Sequence, residues 1–187
     1  MHRKSTVRRL IFLAPLLALL ALPGSAVKPN PKAVPQEGEA LWSAERLPKL
    51  LAKYHEALPG KIRALEFVIY SHRAQMQVQD PAKPENVDQY DYSGKISAPI
   101  PVRLHGSGNL EDNLFGLDEV AFDRIPALVA EAMEKMPLEG SQVTHVIVKR
   151  GLPFSQDMRI FVYVNGTRKS GMLRADGKGH VLEVNAD

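Results

Sequence analysis

RLPKLLAKYHEALPGKIRALEFVIYSH, residues 46–72, is echoed by RIPALVAEAMEKMPLEGSQVTHVIVKR, residues 124–150, after an ungapped shift of 78 positions. Arg46, Pro48, Leu50, Ala52, Glu56, Pro59, Val68 and Ile69 fall on Arg124, Pro126, Leu128, Ala130, Glu134, Pro137, Val146 and Ile147, eight identities in 27 positions. Leu47 with Ile125, Leu51 with Val129, Leu58 with Met136 and Leu65 with Val143 are conservative matches between them. A fixed period of this kind marks two copies of one supersecondary unit, each covering apolar surface that the other exposes.

The spacing predicts a helix followed by strands in each copy. Leu47, Leu50, Leu51, Tyr54 and Leu58 keep the interval that gathers apolar groups on one helical face, as do Ile125, Leu128, Val129, Ala132, Met133 and Met136. Pro48 and Pro126 stand in the first turn, where an amide hydrogen has no partner to lose. Pro59 and Pro137 push the residue before them out of helical geometry and end each stripe. Alternation then begins at Leu65, Phe67 and Ile69 in one copy and at Val143, His145 and Ile147 in the other. Further strands are expected from about 74 to 80 and 87 to 96, matched by 159–164 and 169–184, the last broken by a turn. A seven-residue insertion at 151–157 raises the offset to 85, so that Gly94 meets Gly179 and Ile96 meets Val181. Asn165-Gly166 reads as a type I′ hairpin, in which both central residues need positive φ, rather than as the glycosylation sequon it also spells. Asp176-Gly177-Lys178-Gly179 is a second turn signal, with Ser93-Gly94 as its counterpart.

The expected fold class is therefore α+β: two tandem helix-plus-antiparallel-sheet repeats with the helices on one face of the sheet. The domain reading is a signal peptide at 1–26, a disordered Pro-rich linker at 27–40, a first repeat at 41–98, a connector at 99–123 and a second repeat at 124–187. Arg3, Lys4, Arg8 and Arg9 precede an apolar run from 10 to 22, and Gly24-Ser25-Ala26 supplies the small residues of a cleavage site near Ala26. That run holds 13 residues and Pro15, short of the roughly 20 that span a bilayer, so no membrane span is expected after cleavage. Pro29, Pro31 and Pro35 make the next stretch an extended tether.

The whole chain has 24 basic and 21 acidic residues, and the leader accounts for four of the basic ones. The remainder is near neutral, which removes the electrostatic reason to expect nucleic acid as a partner. No cysteine occurs. Disulfides, thiol catalysis, zinc–thiolate sites and lipid attachment through an N-terminal cysteine are excluded, and an exported protein of this kind must rely on its core.

Helix, strand, strand, Gly-rich turn and strand is an order that resembles the PepSY-like domains of exported bacterial proteins. The stretch that carries the likeness runs from Ile125 through MEKMP, VTHVIVKRG, MRIFVYVNG and MLRADGKGHVLEV, and YDYSGKI stands in the first copy where RADGKGHVL stands in the second. Tandem copies of this size are also similar in plan to the β-lactamase inhibitory protein family, whose disulfides this chain cannot make. The resemblance implies a non-enzymatic module outside the cytoplasm that binds or restrains another protein. It carries no catalytic residue to transfer.

The residues themselves supply no catalytic constellation. Gly106-Ser107-Gly108 lacks the spacing of a nucleophile elbow, and His105 beside Ser107 has no strand-to-helix context. His55-Glu56 begins like a zincin helix, but Pro59 stands where the second histidine belongs. His145 takes the place of Phe67 in the other copy and is expected to be a satisfied, partly buried histidine rather than a ligand. Asp88 and Asp91, three apart in a strand, face opposite ways. No catalytic, metal or cofactor residue is assigned.

The candidate protein-binding surface is the sheet face away from the helices. Ile160, Val162 and Val164 alternate with Phe161 and Tyr163, Tyr90 and Tyr92 share one face of their strand, and Gln75, Gln77 and Gln79 form a neutral stripe. Tyr90, Tyr92, Phe161 and Tyr163 are thus expected to anchor a partner, another envelope or secreted protein. The protein is read as a periplasmic or secreted, non-catalytic binding or inhibitory module. The alternatives are an envelope assembly accessory, a small-ligand carrier or a hydrolase.

Overall fold

The computed structural model describes residues 40–105 and 108–187. The expected signal peptide, its cleavage site, all but the last residue of the linker, and the Gly106-Ser107 tip lie outside the described residues. The order of elements is α1 (Arg46–Ala57), β1 (Arg63–Tyr70), β2 (Ala74–Gln79), β3 (Val87–Tyr92), β4 (Ile100–Pro101), α2 (Leu110–Asn113), β5 (Phe115–Gly116), α3 (Ile125–Lys135), β6 (Gln142–Arg150), β7 (Met158–Asn165), β8 (Ser170–Asp176) and β9 (Val181–Ala186). The strands form one sheet in the order β4-β3-β2-β1-β6-β7-β8-β9, with β5 paired to β1, and the ladders are antiparallel. The fold is α+β.

Both long helices stop where their prolines require, with Leu58 and Met136 as the C-terminal caps just before Pro59 and Pro137. Each turns its apolar stripe onto the sheet: Leu47, Leu50 and Tyr54 are buried in α1, and Ile125, Leu128, Val129 and Ala132 in α3. They join one core with Phe67, Ile69, Met76, Val146, Val148, Ile160, Val162 and Leu173. The register lays these side chains out in rows, because directly paired residues of an antiparallel ladder share a face. One row runs Tyr90, Met76, Phe67, Val148, Ile160, Ala175, Val181, and the next runs Tyr92, Ala74, Ile69, Val146, Val162, Leu173, Val184. Phe67 sits at the centre, edge-on to Tyr54 at 5.4 Å and to Phe122 at 6.0 Å.

The offset of 78 holds across the helices and fails on the strands. Phe67 and Ile69 face the core together with Val148 and Val146, while His145 and Ile147, their partners in the sequence alignment, lie on the other face. Val68 and Val146 are identical residues facing opposite ways. Leu65 and Thr144 are the extra residues of β-bulges in β1 and β6, and they stand 79 apart. The connection from α3 to β6 is one residue longer than that from α1 to β1, and a slip of one residue exchanges the two faces of a strand.

The Asn165-Gly166 turn also departs from expectation. Neither residue has positive φ, so the hairpin is not type I′, and Gly166 N donates to Lys169 O at 2.8 Å in a wider loop. Gly166 is needed for another reason: a β-carbon there would lie 2.8 Å from both Glu139 O and Leu138 Cβ. The Asp176 turn follows its sequence signal, with Gly179 at φ +81° and Asp176 Oδ1 accepting from the amides of Lys178 and His180 at 2.9 Å.

The connector packs through Leu114, Phe115, Val120 and Phe122, all buried. A polar knot pins α2 beside the ends of β1 and β2. Arg63 donates to Gln79 at 3.1 Å and to Glu111 at 2.6 Å, and Gln79 donates to Glu111 at 2.9 Å and to Pro84 O at 2.8 Å. These donors hold the Glu111 carboxyl below its ordinary range, the Arg63 bond most of all.

Candidate functional site

The sheet face away from the helices carries the second set of rows. One runs Asp91, Gln75, Val68, Ile147, Phe161, Arg174, Glu183, and the next runs Tyr70, His145, Tyr163, Met172, Asn185. α2 closes over one end of this face: Asn113, Glu66, Gln77 and Lys149 line a common small cleft there. The other end is left to an aromatic ladder.

The ladder begins at the β1–β2 turn, where the Arg73 guanidinium lies 3.6 Å from the centre of the Tyr70 ring. Tyr70 stands 5.5 Å from His145, His145 is stacked on Tyr163 at 4.5 Å with 15° between the planes, and Tyr163 is 6.4 Å from Phe161. Neighbouring strands are about 4.8 Å apart, so rings on β1, β6 and β7 come into contact, tilted by 35° between Tyr70 and His145 and stacked between His145 and Tyr163. His145 and Tyr163 thus cover one face of each other, and the Arg73 cation covers one face of Tyr70. The half-buried rings of Tyr70, His145, Phe161 and Tyr163 present their remaining surface and two phenolic hydroxyls to a partner.

His145 occupies the middle of the stack. The hydroxyl of Thr144, the bulged residue, lies 3.3 Å from Tyr163 O and 2.9 Å from His145 Nδ1. A hydroxyl has one hydrogen to give, so Thr144 can donate either to Tyr163 O or to His145 Nδ1, and the choice sets the tautomer of neutral His145. Burial pushes the His145 pKa down, Arg73 pushes it the same way, and Glu66 opposes them. With its folded value below the unfolded 6.5, His145 leaves stability intact above about pH 6.5. As pH falls through 6.5 the unfolded chain binds a proton that the folded chain resists, and stability is lost until the folded value is passed. Urea midpoints should therefore drop more between pH 7.5 and 5.5 in the native protein than in His145→Gln; parallel drops would show that His145 is not the group responsible.

The structure separates the four aromatics proposed from sequence. Phe161 and Tyr163 lie on the open face, whereas Tyr90 and Tyr92 lie on the helix side, opposite Met76 and Ala74, partly buried against the core. The Tyr54 hydroxyl donates to Tyr90 O at 2.9 Å and ties α1 to β3, and burial raises the pKa of the Tyr90 phenol. The single Tyr/Gln/Phe surface is corrected accordingly. Gln75 does lie on the open face, where it and Gln89 both donate to Asp91 Oδ1, at 3.3 and 2.8 Å. Tyr70, His145 and Arg73 join the site without having been singled out for it. Only the β1–β6 pairing brings Tyr70 opposite His145.

Among the described residues no group of three or more His, Asp or Glu side chains could hold a metal ion, and no helix is long and apolar enough to cross a membrane. His55, His105, His145 and His180 stand on separate elements, and His180 bonds Asp176 at 3.0 Å.

No family model and no curated protein matches the chain. A solved structure is similar in fold: a protein described as a "putative lipoprotein" from Clostridium difficile 630, 10% identical, with a TM-score of 0.53 over 80% of this chain and 99% of that one.

Proposed function

We propose that this protein is an exported, non-catalytic binding module of the bacterial envelope, assembled from two PepSY-like units, that holds or restrains another protein against its open sheet face. The observation that carries the reading is the ladder from Arg73 to Phe161, in which Tyr70, His145 and Tyr163 each have a ring face occupied by a neighbour. A sugar or nucleobase reader needs a bare ring face on which its ligand can stack. Edges, phenolic hydroxyls and glutamines, on a face whose cations Lys149 and Arg174 are paired with Glu66 and Glu183, suit the mixed surface of a protein.

Support for two units comes from the shared order of a helix and three strands, the offset of 78 in the helices and 79 in the strands, and a bulge at matching places. The C. difficile neighbour supports the fold.

The test is recovery of tagged protein from its own envelope fraction, followed by titration of the recovered protein with its companion. Tyr70→Ser and Tyr163→Ser are expected to weaken binding at least tenfold, about 1.4 kcal/mol or more, and Tyr92→Ser to leave it nearly unchanged. Binding that follows Tyr92 and ignores Tyr163 would place the contact on the wrong side of the sheet.

A further inference from the structure

The hairpin between β6 and β7 holds residue 154, a phenylalanine that is 95% exposed. Its loop is nevertheless firmly built. Gly151 N donates to Asp157 O at 2.9 Å, and the amides of Phe154 and Ser155 both donate to Gly151 O, at 3.1 and 3.2 Å. Arg150 donates to Gln156 O at 2.8 Å, and the Asp157 carboxylate accepts from Ser155 Oγ at 2.6 Å and from Arg159 at 2.9 Å. A benzyl group that touches almost nothing contributes nothing to the fold, yet the backbone beneath it is fixed in place. Hydrogen bonds that hold the backbone beneath the ring lower part of the ordering cost of docking it.

Beside this loop lies an open cleft of about 730 Å³ whose apolar wall is Leu65, Leu104, Leu110, Leu152 and Pro153. Leu104 is 41% exposed. At its own exposure, the Phe154 ring does not fill the cleft, although Pro153 at the edge is its immediate neighbour in the chain. Knob and socket thus stand side by side on one end of the molecule. A two-fold axis requires that arrangement, because the same patch must present both halves of the contact.

We infer that this end docks on the same end of a second copy, each Phe154 seated in the partner copy's cleft between Leu104 and Leu152. A bilayer is the poorer occupant. Arg150 is engaged by Glu119, Leu114 O and Gln156 O, and Arg159 by Asp157; exposed Arg103 beside Leu104 is a single cation and not a basic cluster for headgroups. Two rings of roughly 150–250 Å² and a matching area of wall give roughly 600–1,000 Å² of buried surface, below the usual size of a specific interface. The dimer is therefore weak and reversible. The inference uses none of the ladder and stands apart from the reading of the open face.

Sedimentation velocity on the protein as recovered from cells, from roughly 1 to 500 µM, should show the mass rising from one chain towards two. Phe154→Ser and Leu104→Lys should each remain single-chain over that range at an unchanged melting temperature. Because the chain has no cysteine, an equimolar mixture of Phe154→Cys and Leu104→Cys, one of them tagged, should oxidise mainly to the mixed disulfide. A native protein that stays single-chain at every concentration overturns the inference, as does a Phe154→Ser protein that still associates or a mixture that yields only 154–154 pairs. Phe154-dependent sedimentation with phosphatidylcholine–phosphatidylglycerol vesicles by a single-chain protein overturns it in favour of a lipid surface.

Discussion

Replacing Phe67 with alanine is expected to lower the unfolding free energy by about 3–5 kcal/mol, with the melting temperature falling by roughly 10 °C. Phe67 has no exposed surface, and its ring meets Tyr54 from α1 and Phe122 from the connector edge-on. It also lies on the strand that joins the two ends of the sheet, opposite Met76 on one side and Val148 on the other. Four separate parts of the chain therefore border the space its ring would vacate. None can shift into that space without leaving another neighbour, so the cavity term adds to the lost transfer energy. Urea unfolding followed through Trp42, itself buried, would measure the change. A loss under about 1.5 kcal/mol would mean that the helices can settle onto the sheet, and that the core is less tightly fixed than described.

Gly171→Ala is expected to cost about 1–3 kcal/mol, concentrated on β9. A β-carbon at Gly171 would stand 2.5 Å from Met136 Sδ, 2.7 Å from Asn185 O and 3.3 Å from Ala186 Cα. Met136 is fully buried at the end of α3, and the other two atoms belong to the backbone of the paired edge strand. The methyl group must displace either a packed thioether or a ladder, and an edge strand held on one side is the weaker of the two. Amide exchange should accelerate in β9 and stay slow in β1 and β6. Uniform acceleration, or none, would show that the strand is not the part that gives way.

Helix limits were legible because proline acts locally. Pro59 and Pro137 stop α1 and α3 whatever else surrounds them, and the stripes at Leu47, Leu50, Tyr54 and at Ile125, Leu128, Ala132 admit one buried side. Strand facing was harder to read. VTHVIVKR is apolar on both sides of its alternation, so nothing in it says whether Val146 or Ile147 turns inward; a one-residue difference in a loop decided it. Tyr90 and Tyr92 were misplaced for a related reason. VDQYDY offers no apolar set beyond Val87, and its facing follows from pairing with Met76 and Ala74. The open face was only half legible: Phe161 and Tyr163 alternate with a clear β-branched set, but Tyr70 and His145 meet through strands that are far apart in sequence.

The β1–β6 pairing joins residues such as Phe67 and Val148 across some eighty positions of chain. Contacts of that span raise the contact order and slow folding, since a long loop must close before any of the bonds it permits are made. Synthesis runs from the N-terminus, so β1 emerges well before the strand that completes it and passes that interval with one edge bare. A chain built this way is expected to stay unfolded for longer than one made of two separately closed sheets, with the bare edge of β1 open to mispairing until its second half arrives.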